Sequence, residues 1–388
     1  MPDRSKQERR WDAIVIGARC AGAATAMLLA RAGARVLVVD RGAYGSDTLS
    51  THALMRTGVA LLHRWGILGA IRAAGTPAVR TTTFVYGGEE VAVEIKPGDG
   101  VDALCAPRRT VLDRALADAA MAAGAEVRYA TSLEGLVRDD AGRVSGAILR
   151  SSVGQLHEEH SALVIGADGR QSTLAGLVGS RLLSATENSS AGIFGYFPGI
   201  PDRGYRWYFR PGAHMAVIPT NDGAHCVCAF VPRARYRDVV GTDAEAGHRR
   251  LVASFDPGIG EAVAGNAEIE LRRYVGAPGH MRQAHGPGWA LVGDAGYFKD
   301  PITAHGITDA LRDAELLAEA VIRSGPDKLG PYQEARDHLS RHLFALTDEI
   351  AGFGWTFESL KELHAQLSAA MKHEHAHMMR TETPRLVA

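Results

Sequence analysis

The sequence predicts an α/β protein in which a parallel nucleotide-binding sheet is interrupted by an antiparallel β-sheet and closed by a helical tail. Three observations carry that prediction. Residues 12–16 and 34–40 are apolar strands on either side of an alanine-rich helical stretch at 22–32, and unbroken apolar strands suit a sheet covered on both faces. Between about 182 and 275 the texture changes to aromatic and β-branched runs separated by Pro/Gly turns. From Trp289 the nucleotide-fold texture returns, followed by two amphipathic helical stretches at 331–349 and 357–379.

The elements follow in order. A helical pattern occupies 50–65. Strands at 79–86 and 90–95 are joined by Gly87-Gly88, a hairpin signal. Residues 109–123 read as a helix ending at Gly124, and 126–130 as a strand. A second hairpin pairs 133–138 with 144–149, and a buried strand at 162–165 runs into Gly166-Ala167-Asp168-Gly169. The middle sheet takes strands at 193–197, 205–209, 215–218, 226–231 and 269–274, with a helical insertion near 244–255. This divides the chain into a nucleotide domain (11–75, 101–180, 276–325), a β-rich substrate domain (76–100, 181–275) and C-terminal helices (326–388).

Composition excludes several classes. The formal net charge of −1 over 388 residues gives no electrostatic reason to expect nucleic acid or an anionic membrane surface. No apolar run reaches the roughly 18 residues that a spanning helix needs. Residues 1–10 are polar and read as a frayed tail, not a signal peptide. Cys20, Cys105, Cys226 and Cys228 are scattered, which describes buried thiols in a reducing cytoplasm and no disulfide framework. His373 and His377 share a helix face but have no evident third ligand, so they read as a solvated face and no metal is expected.

Three motifs carry chemistry. Gly17-Ala18-Arg19-Cys20-Ala21-Gly22 joins a strand to a helix, a Rossmann-like turn whose backbone N–H groups can approach a pyrophosphate. Asp40, followed by Arg41, ends the next strand, where an acid can accept hydrogen bonds from a ribose. Asp168 and Gly169 close a third strand, either at the cofactor or as a cap of the next helix. Finally Gly293-Asp294 ends the strand at 289–292, and a loop from Pro301 through Ala304, His305, Gly306 and Ile307 opens a helix. A nucleotide site built from both ends of a chain points to a long bent cofactor, with FAD the leading candidate.

Together the three motifs resemble the FAD-dependent monooxygenases of the p-hydroxybenzoate hydroxylase type, over about residues 11–325. Geranylgeranyl reductases and flavin-dependent halogenases share that broader fold. The resemblance implies that Gly17, Arg19, Cys20, Ala21, Gly22, Asp40 and Arg41 hold the ADP half of FAD. It implies that Arg109, in Arg109-Thr-Val-Leu-Asp113, lies near the flavin and its phosphates. Asp168 and Gly169 match the Asp-Gly motif near the pyrophosphate, and Gly293 with Asp294 the acid that binds the ribityl chain. Pro301, Ala304, His305, Gly306 and Ile307 match the segment against the pyrimidine ring. The chain departs from the family where Gly296-Tyr297 replaces an Ala-His pair and Ala304-His305-Gly306 replaces the usual glycine loop.

The resemblance implies hydroxylation first: NAD(P)H visits transiently, O₂ is a co-substrate, and the substrate is a small, aromatic or secondary-metabolite compound. A C=C reductase of the geranylgeranyl type is the alternative, toward which Arg19 and the 107–113 segment lean. A halogenase would need a lysine in the first third of the chain, and none occurs between Lys6 and Lys96. A non-catalytic FAD-binding protein is the reading from another class. Candidate catalytic residues are His52, His305, Arg206 and His214, and candidate substrate contacts add Tyr196, Trp207, Tyr208 and Met215. A homodimer or a flavin reductase partner remains open.

Overall fold

The structure, a computed structural model, describes residues 10–50 and 52–380. Strand β1 (Trp11–Ile16) leads to helix α1 (Cys20–Arg31) and β2 (Val36–Val39). Helices α2 (Arg56–Arg64) and α3 (Leu68–Ala73) precede the hairpin β3 (Thr81–Tyr86) and β4 (Glu89–Glu94). Then come α4 (Arg109–Ala122), β5 (Glu126–Arg128), β6 (Ser132–Arg138), β7 (Val144–Arg150), β8 (Leu156–Gly166) and α5 (Thr173–Leu177). The middle holds β9 (Leu182–Ala185), β10 (Ser190–Pro198), β11 (Tyr205–Arg210), β12 (Ala213–Pro219), β13 (Ala224–Pro232), α6 (Tyr236–Val240), α7 (Ala244–Ala253), α8 (Pro257–Ala264) and β14 (Arg272–Tyr274). Short strands β15 (His280–Arg282), β16 (His285–Gly286), β17 (Trp289–Leu291) and β18 (Tyr297–Phe298) lead to α9 (Gly306–Ser324), α10 (Gly330–Ala351) and α11 (Phe357–Arg380).

One sheet runs β16-β17-β8-β1-β2-β5, with β7 and β6 extending it from β8. Its centre, β17-β8-β1-β2-β5, is parallel. The apolar runs of β1 and β2 are buried on both faces, which is why they lack alternation. The second sheet, β14-β10-β13-β12-β11-β3-β4, brings residues 81–94 beside the middle segment. It is antiparallel except where β3 runs parallel to β11. A small sheet, β18-β15-β9, had no signature in the sequence, because two- and three-residue strands show no periodicity.

The second sheet has two faces, and side chains alternate between them. Phe194, Trp207, Phe209, Cys226, Cys228 and Phe230 join the main core shared with the nucleotide domain and the C-terminal helices. Phe197, Tyr208, Met215, Val217 and Val227 join a separate cluster with Val252 and Val263, under α7 and α8. The stripe Leu360, Leu363 and Leu367 on α11 is buried in the main core.

Several expected boundaries move. The helix expected from residue 50 starts at Arg56, because the preceding segment is extended and the Leu54 N–H donates to the Cys105 carbonyl. Strand β8 begins at Leu156, its exposed alternating half pairing with β7 instead of forming an apolar run. Helix α8 was missed: Pro257 stands at its start and the Asp256 side chain accepts from Gly258 and Ile259 N–H. The expected N-terminal tail falls almost wholly outside the described residues. No helix among the described residues is long and apolar enough to cross a membrane.

Candidate functional site

The glycine turn after β1 is sterically committed. Gly17 has φ +106°, and a Cβ there would lie 2.4 Å from the Ala167 carbonyl oxygen. A Cβ on Gly22 would lie 1.8 Å from the Gly17 oxygen. The Ala18 N–H donates to Asp40 Oδ2 at 2.8 Å and the Gly42 N–H to Oδ1 at 2.7 Å, so Asp40 is fixed at the rim. Ala18, Arg19, Asp40, Ser46, Asp113 and Tyr129 line a small recess beside the turn.

Arg19 stands where a second glycine is usual, and its side chain swings off the turn. It reaches Asp113 at 3.2 Å, which also takes Arg109 at 3.0 Å and the Cys20 thiol at 3.1 Å. One buried carboxylate therefore aligns two guanidinium groups beside the turn, a geometry suited to a diphosphate. Asp113 was quoted in the sequence motif but given no role there.

The other end of the site is Asp294, on the turn after β17. Its carboxylate accepts no hydrogen bond from the described residues, and its side chain is only half-buried. Desolvation, reinforced by the nearby Asp309 charge, pushes its pKa up to about 6. Beside it α9 starts with Ala304 in a left-handed conformation (φ 48°). The Gly306 and Ile307 N–H groups have no partner among the described residues. A Cβ on Gly306 would meet nothing within 4 Å. An acceptor carboxylate and free helix-start donors, side by side, fit a ribityl chain and a ring carbonyl.

A third group joins the segment after β2 to the second sheet. His52 is fully buried with φ +65°, a conformation that costs a non-glycine residue energy. Its Nε2 lies 2.5 Å from the Tyr196 hydroxyl, and its Nδ1 has no partner. The Arg108 guanidinium stacks 3.6 Å from the Tyr196 ring centre. Asp47 pairs with both Arg108 (3.2 Å) and Arg272 (2.9 Å). Burial, with Arg109 and Arg108 adding to it, pushes His52 down to about 3, so the imidazole is neutral. Burial pushes the Tyr196 phenol well above its ordinary value, so it keeps its proton. The Met55 N–H donates to Thr308 Oγ1 at 3.2 Å, which ties this segment to the start of α9. Sequence reading named His52 and Tyr196 separately and missed Arg108, Asp47 and Arg272. The doubled arginine at 108–109 was the one available signal.

The other expected site residues are committed to other contacts or stand at the margin of the site. Arg206 is on the α8 side of the sheet, bonded to Glu90 and to the Tyr208 hydroxyl at 2.8 Å, which excludes it from this site. Tyr208 and Met215 share that face. His214 is on the inner face but walled in by Trp207, Phe209 and Phe230. Its Nδ1 donates to the Tyr208 carbonyl at 3.1 Å, and burial pushes it down to about 3, so it is a packing residue. His305 turns away from the loop's open side into a buried ionic cluster. Asp168 spends its carboxylate on Ser172 Oγ and the Thr173 and Leu174 N–H groups, capping the helix that follows. Arg41 is exposed beside Asp40. Period-2 alternation was visible in β11, but nothing in its sequence said which face met the cofactor domain.

The glycine turn, paired arginines, unpartnered acid and open helix start define a dinucleotide-binding flavoprotein with a β-sheet laid over its site. The chain belongs to the FAD binding domain family, whose model matches residues 10–345, and it is an FAD-dependent oxidoreductase. Digeranylgeranylglycerophospholipid reductase 2 of Methanopyrus kandleri is 28% identical over 339 residues, covering 80% of this chain and 78% of that protein. Menaquinone reductase of Mycolicibacterium smegmatis is 29% identical over 339 residues, covering 81% and 77%. Among solved structures, Pseudomonas aeruginosa PqsL in complex with 2-aminobenzoylacetate matches with a TM-score of 0.76 at 21% identity, over 94% of this chain and 100% of that one. The flavin-dependent brominase Bmp2 matches with a TM-score of 0.75 at 17% identity, over 95% and 100%. At these identities the structural matches establish the fold.

An ionised Asp294 is the better acceptor for ribityl hydroxyls. Because its pKa is raised to about 6, the charged form is present above that pH and lost below it. FAD affinity, measured by flavin fluorescence, is expected to fall as pH drops through about 6. In Asp294→Asn it is expected to be weaker throughout and flat across that window. An unchanged pH profile in the variant would remove Asp294 from the site.

Proposed function

We propose that this chain is an FAD-dependent reductase that adds a hydride and a proton across a C=C bond of a largely apolar substrate. The observation that carries the reading is the Tyr196–His52 pair. Bound FAD, reduced by transient NAD(P)H or by a partner reductase, supplies the hydride. The second carbon then needs a proton, and Tyr196 is a buried phenol that retains one. The proton leaves Tyr196 Oη and is restored from solvent once the product has left, while His52 Nε2, 2.5 Å from that oxygen, orients the hydroxyl. Arg108, stacked on the ring, stabilises the transient phenolate. Gly17, Gly22, Arg19, Arg109, Asp294 and the start of α9 hold and orient the cofactor.

Hydroxylation of a phenol calls instead for a base to take the substrate's proton. His52, neutral and pushed down to about 3, is a poor one. The names of the sequence relatives, reductases of a polyprenyl glycerophospholipid and of menaquinone, support the same choice. The test is the product's mass when the holoprotein is supplied with NAD(P)H and a digeranylgeranyl glycerophospholipid. A gain of two hydrogens is expected. A gain of one oxygen would make the chain a hydroxylase.

A further inference from the structure

Behind the flavin-facing turn lies a group of charges that the proposed reaction does not use. His305 Nδ1 is 3.0 Å from Asp309 Oδ1, and its Nε2 is 3.1 Å from Glu374 Oε2 on the C-terminal helix. Arg312 contacts Asp309 at 2.9 Å, Asp313 at 2.7 Å, Glu374 at 2.7 Å and Ser340 Oγ at 2.9 Å. Lys299 closes on Asp309. All of these are buried, and His305, Asp309 and Glu374 have the spacing of a metal site. Their neighbours argue against a metal, because Lys299 and Arg312 already supply the cations. With the His305 ring protonated, three positive groups (Lys299, Arg312, His305) face three negative ones (Asp309, Asp313, Glu374). A neutral ring would leave a buried net negative charge, which a low-dielectric interior disfavours. Burial pulls His305 down, but the Glu374 and Asp309 charges outweigh it and hold the ring above its ordinary value.

The cluster is close to the cofactor end. Asp309, Lys299 and Asp313 all bear electrostatically on Asp294, and His305 is the residue that caps α9, next to the free N–H groups of Gly306 and Ile307. The other charged or ionisable groups facing it are Tyr297, His377 of α11, and Arg336, which is tied to Asp337.

We propose that Glu374 and His305 are positioning residues for the flavin: the C-terminal helix locks the His305 ring as an imidazolium behind the start of α9, which cancels the buried negative charge that a neutral ring would leave beside the cofactor site. Without that uncompensated charge the reduced, anionic cofactor binds more tightly than it otherwise would. The C-terminal helix thereby sets the redox poise of the site through His305.

The test is the midpoint potential of bound FAD in the holoprotein between pH 6 and 9, with dissociation constants for oxidised FAD alongside. His305→Gln keeps a hydrogen-bonding side chain and removes the charge. It is expected to reduce the preference for reduced over oxidised FAD about tenfold, a fall of about 30 mV for a two-electron couple. Glu374→Gln removes one of the two carboxylates that hold the proton. Its potential is expected to show a break with pH, as His305 titrates, that the wild type lacks. Should Glu374→Gln fail to fold, His305→Gln still decides the matter. Variants that melt earlier but keep the wild-type potential and pH slope would overturn the proposal and reduce the cluster to a tie between helices.

Discussion

Tyr196→Phe is expected to bind FAD and to accept electrons from NAD(P)H like the wild type, yet to turn over substrate about 10²–10⁴-fold more slowly, the usual loss when a general acid is removed. The substitution is conservative for the fold. The phenylalanine ring keeps its stack under Arg108, and only the hydroxyl bonded to His52 is lost. His52 would then have both ring nitrogens unpartnered, at a cost of about 1–3 kcal/mol. A thermal melt separates that loss from the kinetic one. His52→Asn is the companion variant, since asparagine tolerates the left-handed backbone found at φ +65°. It is expected to lower turnover in the same direction without displacing the cofactor. Wild-type turnover in Tyr196→Phe would remove the proton-donor role.

The second large effect concerns stability. Arg312→Met keeps the length of the side chain but strips a positive partner from each of Asp309, Asp313 and Glu374. Removing one member of a fully buried ion cluster costs about 3–5 kcal/mol, because the remaining charges lose their compensation. Thermal unfolding of the holoprotein is expected to shift down accordingly, with less folded protein recovered. Arg323→Met, near the C-terminal end of the same helix, removes a largely exposed arginine paired with the half-buried Glu319, and is expected to cost under about 1 kcal/mol. Equal shifts in the two variants would mean that the buried cluster contributes no more than a surface pair.

Much of this architecture could be read from the chain. Gly17 and Gly22 could be read because steric demand at a tight turn leaves glycine as the residue that fits, and the apolar runs of β1, β2 and β17 could be read because parallel strands are buried on both faces. Asp294 stood out as an acid at the carboxyl end of such a strand. The choice among polar residues was less legible. Arg206 and Tyr196 look alike as polar positions in aromatic strands, and which face meets the cofactor domain depends on pairing partners far away in sequence. Asp168 had two readings from one local pattern, and the structure shows its carboxylate capping the next helix while its N–H stands 3.2 Å from the Cβ position of Gly17. His305 was picked out for its place in the loop, but its role is set by Glu374, 69 positions on, which no local signal connects to it.

The most direct test of the reductase reading is to reduce the holoprotein without O₂, remove excess reductant, add a digeranylgeranyl glycerophospholipid, which has no quinone ring to take electrons directly, and follow the return of flavin absorbance at roughly 450 nm, where oxidised FAD absorbs. Reoxidation by that lipid alone, about a hundredfold or more slower in Tyr196→Phe, is the predicted result. Flavin that stays reduced with the lipid until O₂ is admitted would contradict it.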